Sequence, residues 1–454
     1  MEAEGYSVEP TLDLTPPAVD SDSLSLDTAK ATRWLSSGGR ERAFGVVYTP
    51  RHLVDFMVHL AYPHRKACRV LEPACADAPF LASFAQHYGR GHELVGVEID
   101  PEHLKHARWN VPQATFVEAD FLLWDPRAQF DIVLGNPPYG IIGDASHYPI
   151  HVLKERKKLY RQRSRTWYGK FNIYAAFIEH AVELLAPDGR LVFVVPASWL
   201  VLDDFQRLRS FLAESGKLHV YYLGKVFPKR NVSVVVLVVE KGGQGLLLYD
   251  GTEELKVFKP EYSGEMIRFE TAEWLRFERR GIPLEELFEI HFAARSPEVR
   301  KHPAVVSESR PGYVPVLTGR NLHAGRIDYE SGYSGLWMPR ERAAELRSFY
   351  GFPHLVVAHT KGARVVCAYD ERCYPWREEF HLVPKVGSPD PVAIMEYLNS
   401  DLVQHYVKQL YRDFVPHLTA TMLKRVPVDR AVARFATDNM QLLLLDEEAI
   451  HVNS

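Results

Sequence analysis

The chain has little cysteine and no long apolar run, and both absences limit the kinds of protein that it can be. It contains four cysteines in 454 residues, and none forms a Cys-x-x-Cys pair or has a histidine at metal-ligand spacing. We therefore expect reduced, partly buried thiols and no metal site. No apolar run is long enough to span a bilayer, and the N-terminus lacks a basic segment followed by an apolar core. These absences favour a cytoplasmic protein without a membrane partner.

An overall excess of positive charge is also missing, since the formal net charge is −4 at pH 7. This argues against a general coat for nucleic acid, but the charge is unevenly distributed. Residues 151–170, "HVLKERKKLYRQRSRTWYGK", carry eight Lys or Arg against Glu155 alone. The segment is either a solvated helix face or a surface that meets phosphates.

Length and composition predict two domains after a flexible arm. The chain is longer than the size at which single cores stop growing. Residues 1–40 are rich in Ser, Thr, Asp and Pro and have few apolar positions, which indicates a flexible N-terminal arm. Regular patterns run from 41 to about 270, and residues 271–454 show short strands, turns and scattered aromatics. We place the boundary between Pro260 and Gly281.

The first domain is predicted to have an α/β fold. Strands are expected at residues 69–72, 94–100, 115–119, 131–134, 190–196, 218–223 and 232–240. Helical patterns lie between them, such as "FNIYAAFIEHAVELLAPDG", which Pro187 to Gly189 should stop. The alternation predicts a doubly wound, mostly parallel, seven-stranded sheet in which one of the last two strands runs antiparallel.

Acidic side chains follow the predicted strand ends. Glu72 closes the first, Glu98 the second, and Asp120 with Phe121 the third. In a doubly wound sheet, ligands bind beyond the carboxyl ends of the strands. Glu98 is placed to accept from ribose hydroxyls, while Asp120 and Phe121 are placed to accept from an amine and to cover a purine. The sequence therefore predicts an adenosine-shaped site.

The fourth predicted strand ends in "DIVLGNPPYG". A proline can neither donate to a sheet nor continue it, so the chain must leave the sheet at Asn136. The first proline also favours an extended conformation at Asn136. The result is a stiff loop with an amide, a carbonyl and an aromatic ring, which can hold a flat group beside the adenosine site.

These segments resemble the adenine-N6 DNA methyltransferases of the gamma class, and most closely the TCGA-specific type II enzymes. "VVYTPRHLVDFMV", "LEPACADAPF", "VGVEID" and "EADF" are similar to the family's cofactor motifs, and "LGNPPYG" to its catalytic motif. "KVFPKRNVSVVV" resembles the motif that supplies a second aromatic wall. "FAARSPE", "VPVLTGRNL", "HTKGARVV" and "YRDFVPHLTATMLKRVPV" resemble the recognition domain. Many relatives have glycines where this chain reads Ala76-Asp77-Ala78-Pro79.

The resemblance implies an S-adenosylmethionine-dependent methyltransferase fold followed by a mixed α+β DNA-recognition domain. It implies a monomer that methylates a flipped adenine in double-stranded DNA within TCGA, protecting that DNA from a cognate endonuclease. The catalytic residues expected on this basis are Asn136, Pro137, Tyr139 and Phe227. Those expected to bind the cofactor are Thr49, Glu72, Ala74, Glu98, Asp120, Phe121, Pro138 and Phe177. Those expected to contact DNA are Arg230, Arg295, Arg320, Lys361, Arg412 and Pro416, with Lys424 and Arg425 as further candidates.

Three alternatives remain at this point. An Asn-Pro-Pro-Tyr loop also serves methyltransferases that act on a protein glutamine or on RNA guanine, although these generally lack a long C-terminal domain. A fused restriction endonuclease would need a metal site, for which Asp144, Glu155 and Lys157 have the formal spacing without the strand pattern. A catalytically dead DNA-binding subunit is disfavoured by the intact loop from Asn136 to Tyr139.

Overall fold

The computed structural model describes residues 48–62, 67–89, 91–142, 153–170, 172–227, 231–362, 364–385, 387 and 389–433. The predicted arm (1–40) lies outside the described residues, as do Asp144 and Arg230. The chain divides into two compact units, Met1–Ile267 and Arg268–Ser454. In the described residues, no helix is both long and apolar enough to cross a membrane.

The described part of the first unit is built on one sheet with the strand order β3-β2-β1-β4-β5-β7-β6-β8-β9. Its strands are β1 (Arg69–Pro73), β2 (Glu93–Glu98), β3 (Thr115–Glu118), β4 (Phe130–Gly135), β5 (Leu185–Pro196), β6 (Gly216–Gly224), β7 (Val234–Lys241), β8 (Leu246–Asp250) and β9 (Glu254–Lys259). The pairs joining β3, β2, β1, β4 and β5 are parallel, and β7 is antiparallel to both β5 and β6. The predicted, mostly parallel α/β architecture is confirmed.

Helices cover this sheet: α1 (Arg51–Ala61), α2 (Pro79–Tyr88), α3 (Pro101–Asn110), α4 (Lys157–Arg163), α5 (Ile173–Glu183) and α6 (Gln206–Ser215). Helix α5 is buried on every face, because its residues from Ile173 to Val182 are all buried, including the polar Glu179 and His180. It ends before the predicted stop at Pro187, since Leu185 already pairs with Phe130 in the sheet.

The predicted number of strands is wrong, because the described residues of the first unit form nine strands rather than seven. The two additional strands, β8 and β9, make an antiparallel hairpin, and β8 extends the edge of the sheet by pairing parallel to β6. A local signal for this hairpin was present in "LLLYDGTEELKVF", where Asp250-Gly251 is a turn dipeptide and Gly251 has φ 72°. The apolar run before this turn forms β8, which pairs with β6 at an edge that would be unpaired in a seven-stranded sheet.

The second unit combines small sheets and short helices. Its described helices are α7 (Ala272–Arg280), α8 (Leu284–Leu287), α9 (Ser296–Lys301), α10 (Pro391–Asn399), α11 (Asp401–Tyr411) and α12 (Ala420–Lys424). Its described strands are β10 (Ile282–Pro283), β11 (Phe288–Phe292), β12 (Tyr313–Pro315), β13 (Leu322–His323), β14 (Arg326–Ile327), β15 (Trp337–Pro339), β16 (His354–Val357), β17 (Cys367–Asp370), β18 (Phe380–Pro384) and β19 (Pro427–Val428). Strands β11, β18, β16 and β17 form an antiparallel sheet in that order.

A buried carboxylate organises the core of the second unit. Asp370 is fully buried and accepts hydrogen bonds from Trp376 Nε1 at 2.8 Å and from the Tyr329 hydroxyl at 2.9 Å. Its Oδ1 also accepts from the backbone N–H of Cys373 at 3.0 Å. These bonds fix the chain between β17 and Trp376, which is packed in the core with Leu317.

Candidate functional site

A cleft in the first unit lies at the carboxyl ends of β1, β2, β3 and β4, where the sequence predicts ligand binding. All of the residues expected to bind the cofactor line it, together with Asn136: Thr49, Glu72, Ala74, Glu98, Asp120, Phe121, Pro138 and Phe177. Tyr48, Asp77, Ile99, Leu153 and Ile173 also line the cleft and were missed by sequence reasoning. Leu153 lies in the basic segment next to another apolar residue, Val152, and nothing in the sequence marks it as part of the cleft.

The loop after β1 keeps its backbone open to the cleft through an unusual conformation. Ala74, Ala76 and Ala78 have φ of 48°, 45° and 57°, in the left-handed region that glycine normally occupies. This conformation costs a non-glycine residue about 1 kcal/mol. Hydrogen bonds offset the cost, because the Ala78 N–H donates to the Cys75 carbonyl at 2.7 Å and the Ala76 N–H donates to Glu98 at 2.9 Å. The three alanines therefore adopt a left-handed backbone conformation that glycine usually takes.

The Glu98 carboxylate is both a structural acceptor and part of the cleft. It accepts from the backbone N–H groups of Ala76, Ile99 and Asp100 at 2.9, 2.9 and 3.0 Å. A carboxylate offers about four acceptor positions, so these bonds leave capacity for a ligand hydroxyl. Burial raises the pKa of Glu98, and the backbone donors oppose that shift.

Glu72 lies deeper, with its side chain at the start of α2. It accepts from the backbone N–H of Leu81 at 2.8 Å and of Phe80 at 3.4 Å, which are donors left free at the N-terminus of a helix. Burial raises the pKa of Glu72 to about 8, and the charge of Glu98 adds to the shift, while the two N–H donors lower it. This carboxyl is therefore largely protonated at pH 7 in the ligand-free protein, and a cationic group beside it would favour its ionised form.

Asp120 is more heavily engaged than the sequence suggests. Its Oδ2 accepts from Arg156 Nη1 at 2.7 Å and from the Tyr160 hydroxyl at 2.5 Å, and its Oδ1 accepts from Leu122 N at 3.2 Å. Beside it, the rings of Phe121 and Phe177 have centroids 5.1 Å apart. The apolar wall of the cleft is thus in place, while an amine at Asp120 would share its acceptor with Arg156.

The basic segment 151–170 uses at least half of its positive residues within the protein. Arg156 pairs with Asp120, and Lys157 donates to the Ile142 carbonyl at 2.8 Å. Arg163 donates to the Leu123 carbonyl at 3.2 Å, and Arg165 lies over the ring of Phe211 and near Glu179. These four cations therefore make contacts within the protein, while Lys154, Lys158 and Arg161 are exposed.

The Asn136–Tyr139 loop is held at three points. Asn136 Nδ2 donates to Thr49 Oγ1 at 3.0 Å, which turns the amide oxygen away from Thr49. The Tyr139 hydroxyl donates to the Val194 carbonyl at 2.9 Å. The Gly140 N–H donates to Asn172 Oδ1 at 2.8 Å. Because these partners lie on separate elements, the loop has little freedom to rearrange.

The two rings expected to enclose a base contact one another. The centroids of Tyr139 and Phe227 are 6.4 Å apart, with an interplanar angle of 68°. Both side chains are largely buried. A flat group can stack between them only after the rings separate and become parallel.

In the second unit, several predicted DNA contacts lie on segments that are bonded to each other. Arg295 follows Ala294, which bridges to Arg377, and the Arg377 N–H donates to the Leu317 carbonyl at 3.0 Å near Arg320. Lys361 and Pro416 come together in the same way, because Gly362 bridges to His417. Arg412 lies elsewhere in contact with Phe269, 4.8 Å from the ring centroid. Lys424 lies 3.9 Å from Glu285.

The cysteines and the acidic residues show no metal centre in the part of the chain that the structure describes. Cys68, Cys75, Cys367 and Cys373 are all buried and form no disulfide, as predicted. Within the described ranges, no group of three or more His, Cys, Asp or Glu side chains could hold a metal ion. Glu155 is exposed, and the Lys157 ammonium is bonded to a carbonyl.

The pKa of Glu72 predicts a pH-dependent stability for the cofactor-free protein. The folded-state pKa of about 8 lies above the ordinary value of 4.5, so the stabilisation that this group contributes is complete below pH 4.5 and is lost as the pH rises through 8. The thermal midpoint of the parent should therefore fall as the pH rises from 4.5 to about 8, with no further fall from this group at higher pH. Glu72→Gln should reduce that fall, whereas Glu118→Gln, at an exposed strand end, should not. Equal slopes for the parent and Glu72→Gln would contradict the assignment.

Comparison with known families identifies both units. Residues 18–227 match the model of the Eco57I restriction-modification methylase, and residues 314–428 match the TaqI-like C-terminal specificity domain. The first match begins inside the predicted arm, so part of that arm has a counterpart in the family.

Similar proteins agree with these matches. A type II methyltransferase of Thermus thermophilus is 61% identical over 394 residues, which are 85% of this chain and 91% of the relative. M.PaeR7I of Pseudomonas aeruginosa is 30% identical over 229 residues, covering 42% of this chain and 38% of the relative. A nuclease-deletion mutant of the type ISP restriction-modification enzyme LlaGI, solved with a DNA substrate mimic, shares the fold at 12% identity and a TM-score of 0.54, over 84% of this chain and 54% of its own. The chain therefore belongs to the type II DNA methyltransferases of restriction-modification systems, with an Eco57I-like methylase region and a TaqI-like specificity domain.

Proposed function

We propose that the protein is a gamma-class enzyme that transfers a methyl group from S-adenosylmethionine to N6 of an adenine in duplex DNA. The observation that carries this proposal is the fixed Asn136–Tyr139 loop at the edge of a cleft suited to adenosine. We further propose that the enzyme acts as a monomer on TCGA, the target implied by the resemblance to the TCGA-specific enzymes. Methylation there would protect the DNA from a cognate endonuclease.

The chemistry of the cleft fits S-adenosylmethionine. Phe121 and Phe177 offer an apolar surface for a purine, and Glu98 has acceptor capacity left for a ribose hydroxyl. The buried carboxyl of Glu72 is largely protonated in the free protein, and it would ionise beside the cationic portion and balance its charge. When bound, the cofactor supplies an activated methyl group on a sulfonium, which is a good leaving group. The protein then needs to position the acceptor nitrogen rather than form a covalent intermediate.

Asn136 and Pro137 would activate the acceptor amine. The lone pair of adenine N6 is delocalised into the ring, so this nitrogen is a poor nucleophile. Two acceptors, Asn136 Oδ1 and the Pro137 carbonyl, would bind the two N6 hydrogens and favour a tetrahedral nitrogen whose lone pair faces the methyl group. Thr49 holds the Asn136 amide nitrogen, and this contact supports the required orientation of the oxygen. Such fixed dipoles stabilise charge that develops in the transition state.

The target base must leave the duplex, because N6 lies inside the base stack. Tyr139 and Phe227 would then stack on its two faces. Extrusion costs a few kcal/mol, and stacking on one aromatic ring returns roughly 1–3 kcal/mol, so two rings offset the cost better than one. The contact between the rings implies that Phe227 moves aside when the base enters.

Transfer of labelled methyl groups to duplexes that differ at one position tests the whole proposal. The adenine of TCGA should be labelled at N6, and substitution of any base pair in the site should lower the rate. Label on RNA or on a protein glutamine, with none on DNA, would instead support the alternative substrates of this loop. Magnesium-dependent cleavage would support a fused endonuclease.

Asn136→Ala should lower kcat by about 10²–10³-fold, because a dipole that acts in the transition state is removed. DNA and cofactor affinities should stay within about tenfold of the parent. Asn136→Asp is the matched control, since it keeps an acceptor oxygen and should retain more activity. Single-turnover rates measure the change in the chemical step. An unchanged kcat with a raised KM would mean that Asn136 only binds the substrate.

Glu98→Gln should weaken S-adenosylmethionine binding by on the order of 1.5–3 kcal/mol, with a smaller effect on the chemical step. The reason is that the amide NH2 cannot accept, so either a backbone N–H or a ribose hydroxyl loses its partner. Calorimetry on the free enzyme measures the change. Glu102→Gln, on the exposed surface of α3, serves as the control. If Glu98→Gln binds the cofactor like the parent, the ribose lies elsewhere.

Phe227→Ala should lower activity on duplex DNA and impair base extrusion, and Phe227→Trp should preserve much of both. Neither change should alter cofactor affinity, because Phe227 does not line the cleft. Fluorescence of 2-aminopurine at the target position reports extrusion directly. Should Phe227→Ala extrude and methylate as the parent does, Phe227 is only a hydrophobic plug of its hairpin.

A further inference from the structure

Two neighbouring loops of the second unit carry predicted DNA contacts. The Arg320 loop comprises residues 318–322, and the Lys361 loop comprises residues 359–362. Arg320 is exposed, and Lys361 is half-buried with its ammonium donating to the Leu322 carbonyl at 2.8 Å. The cation of one loop is therefore tied to the backbone of the other.

A buried carboxylate lies beneath both loops. Glu379 is only 1% exposed, and its Oε2 accepts from the His359 N–H at 2.5 Å. The Gly319 N–H also donates to this carboxylate. Each loop thus contributes one backbone donor to the same side chain, and the carboxylate fixes the distance between them.

Gly319 shows how closely the Arg320 loop approaches this carboxylate. A Cβ at this position would lie 2.5 Å from Glu379 Oε1 and 3.1 Å from Thr360 Oγ1. Atoms cannot approach this closely without moving the loop or the carboxylate. Glycine is therefore required here by close packing against Glu379 and the Lys361 loop.

The segment that carries Glu379 is itself anchored. The Glu379 carbonyl accepts from the Ala293 N–H at 2.8 Å, and the Arg377 N–H donates to the Leu317 carbonyl at 3.0 Å. Trp376, at the start of the segment, is held in the core by Asp370. The carboxylate is therefore presented to the loops from a rigid support.

Stability alone gives little reason for a carboxyl group at this place. Burial raises the pKa of Glu379 to about 8, which reflects the cost of an ionised group here. Buried ionic groups are often replaced by apolar side chains without loss of stability. What an apolar side chain could not provide is a pair of acceptors for backbone donors on two separate loops.

We propose that Glu379 is a positioning residue for target recognition: it sets the Arg320 and Lys361 loops at the spacing with which they contact the DNA site. The inference rests on the proposed function, because it assumes that these loops contact target DNA. Glu379 acts through the loops and does not itself touch the base pairs.

Glu379→Gln tests the inference with the smallest change in shape. One oxygen becomes an NH2 group that faces a backbone N–H, so one loop loses its acceptor. The ratio of kcat/KM for the TCGA duplex to kcat/KM for duplexes with one changed base pair should fall on the order of tenfold, mainly through KM for the TCGA duplex. The cofactor dissociation constant should not change. Glu378→Gln, at the adjacent carboxylate, is the matched control and should behave like the parent.

Gly319→Ala probes the same contact from the loop side and should lower the same ratio, including in the event that Glu379→Gln does not fold. Discrimination equal to the parent in either variant would overturn the proposal. So would a loss of thermal stability together with an equal loss of activity on all duplexes and of cofactor binding, since that is the behaviour of a purely structural residue. A parent enzyme that discriminates among no duplexes would overturn the proposed target function first, and the role of Glu379 with it.

Discussion

The cleft of the first unit depends on the position at which β4 leaves the sheet. Two prolines stop the strand, and the loop that follows is then tied to the start of α1, to β5 and to the residue before α5. These hydrogen bonds hold the loop after β4 in one conformation beside the cleft. In the proposed reaction, the amide oxygen of Asn136 would meet the acceptor amine without rearrangement of this loop.

Buried carboxylates that accept hydrogen bonds stabilise the irregular parts of both units. Glu72 and Glu98 accept backbone N–H groups at the start of α2 and around the strained alanine loop, and both also line the cleft. Asp370 and Glu379 have the corresponding position in the second unit, where they hold a tryptophan and two loops. In each case one carboxylate accepts hydrogen bonds that hold nearby backbone in place close to a predicted binding surface. Regular secondary structure does not provide acceptors for these N–H donors.

The second unit holds its loops in defined positions although most of its strands and helices are short. Its described strands are short, and much of its backbone is irregular. Isolated bridges and side-chain acceptors replace the long ladders of the first unit, and they bring together segments that are far apart in the sequence. The result is a rigid support for the loops of Arg320 and Lys361, which we propose to contact the DNA site.

The sequence by itself determined the α/β class, the strand ends of the first unit and the Asn-Pro-Pro-Tyr loop, because periodicity, strand-end residues and proline chemistry are local properties. It also placed Glu72, Glu98, Asp120 and Phe121 on one cleft, since parallel strands end at one edge of a sheet. The other expected cofactor residues came from the family resemblance and line the same cleft. It missed the hairpin of β8 and β9, and it could not reveal the partners of Thr49, Asp120 and Glu379. Only the tertiary structure decided those pairings, because hydrogen bonds between residues distant in sequence leave no periodic signal and depend on how the elements pack.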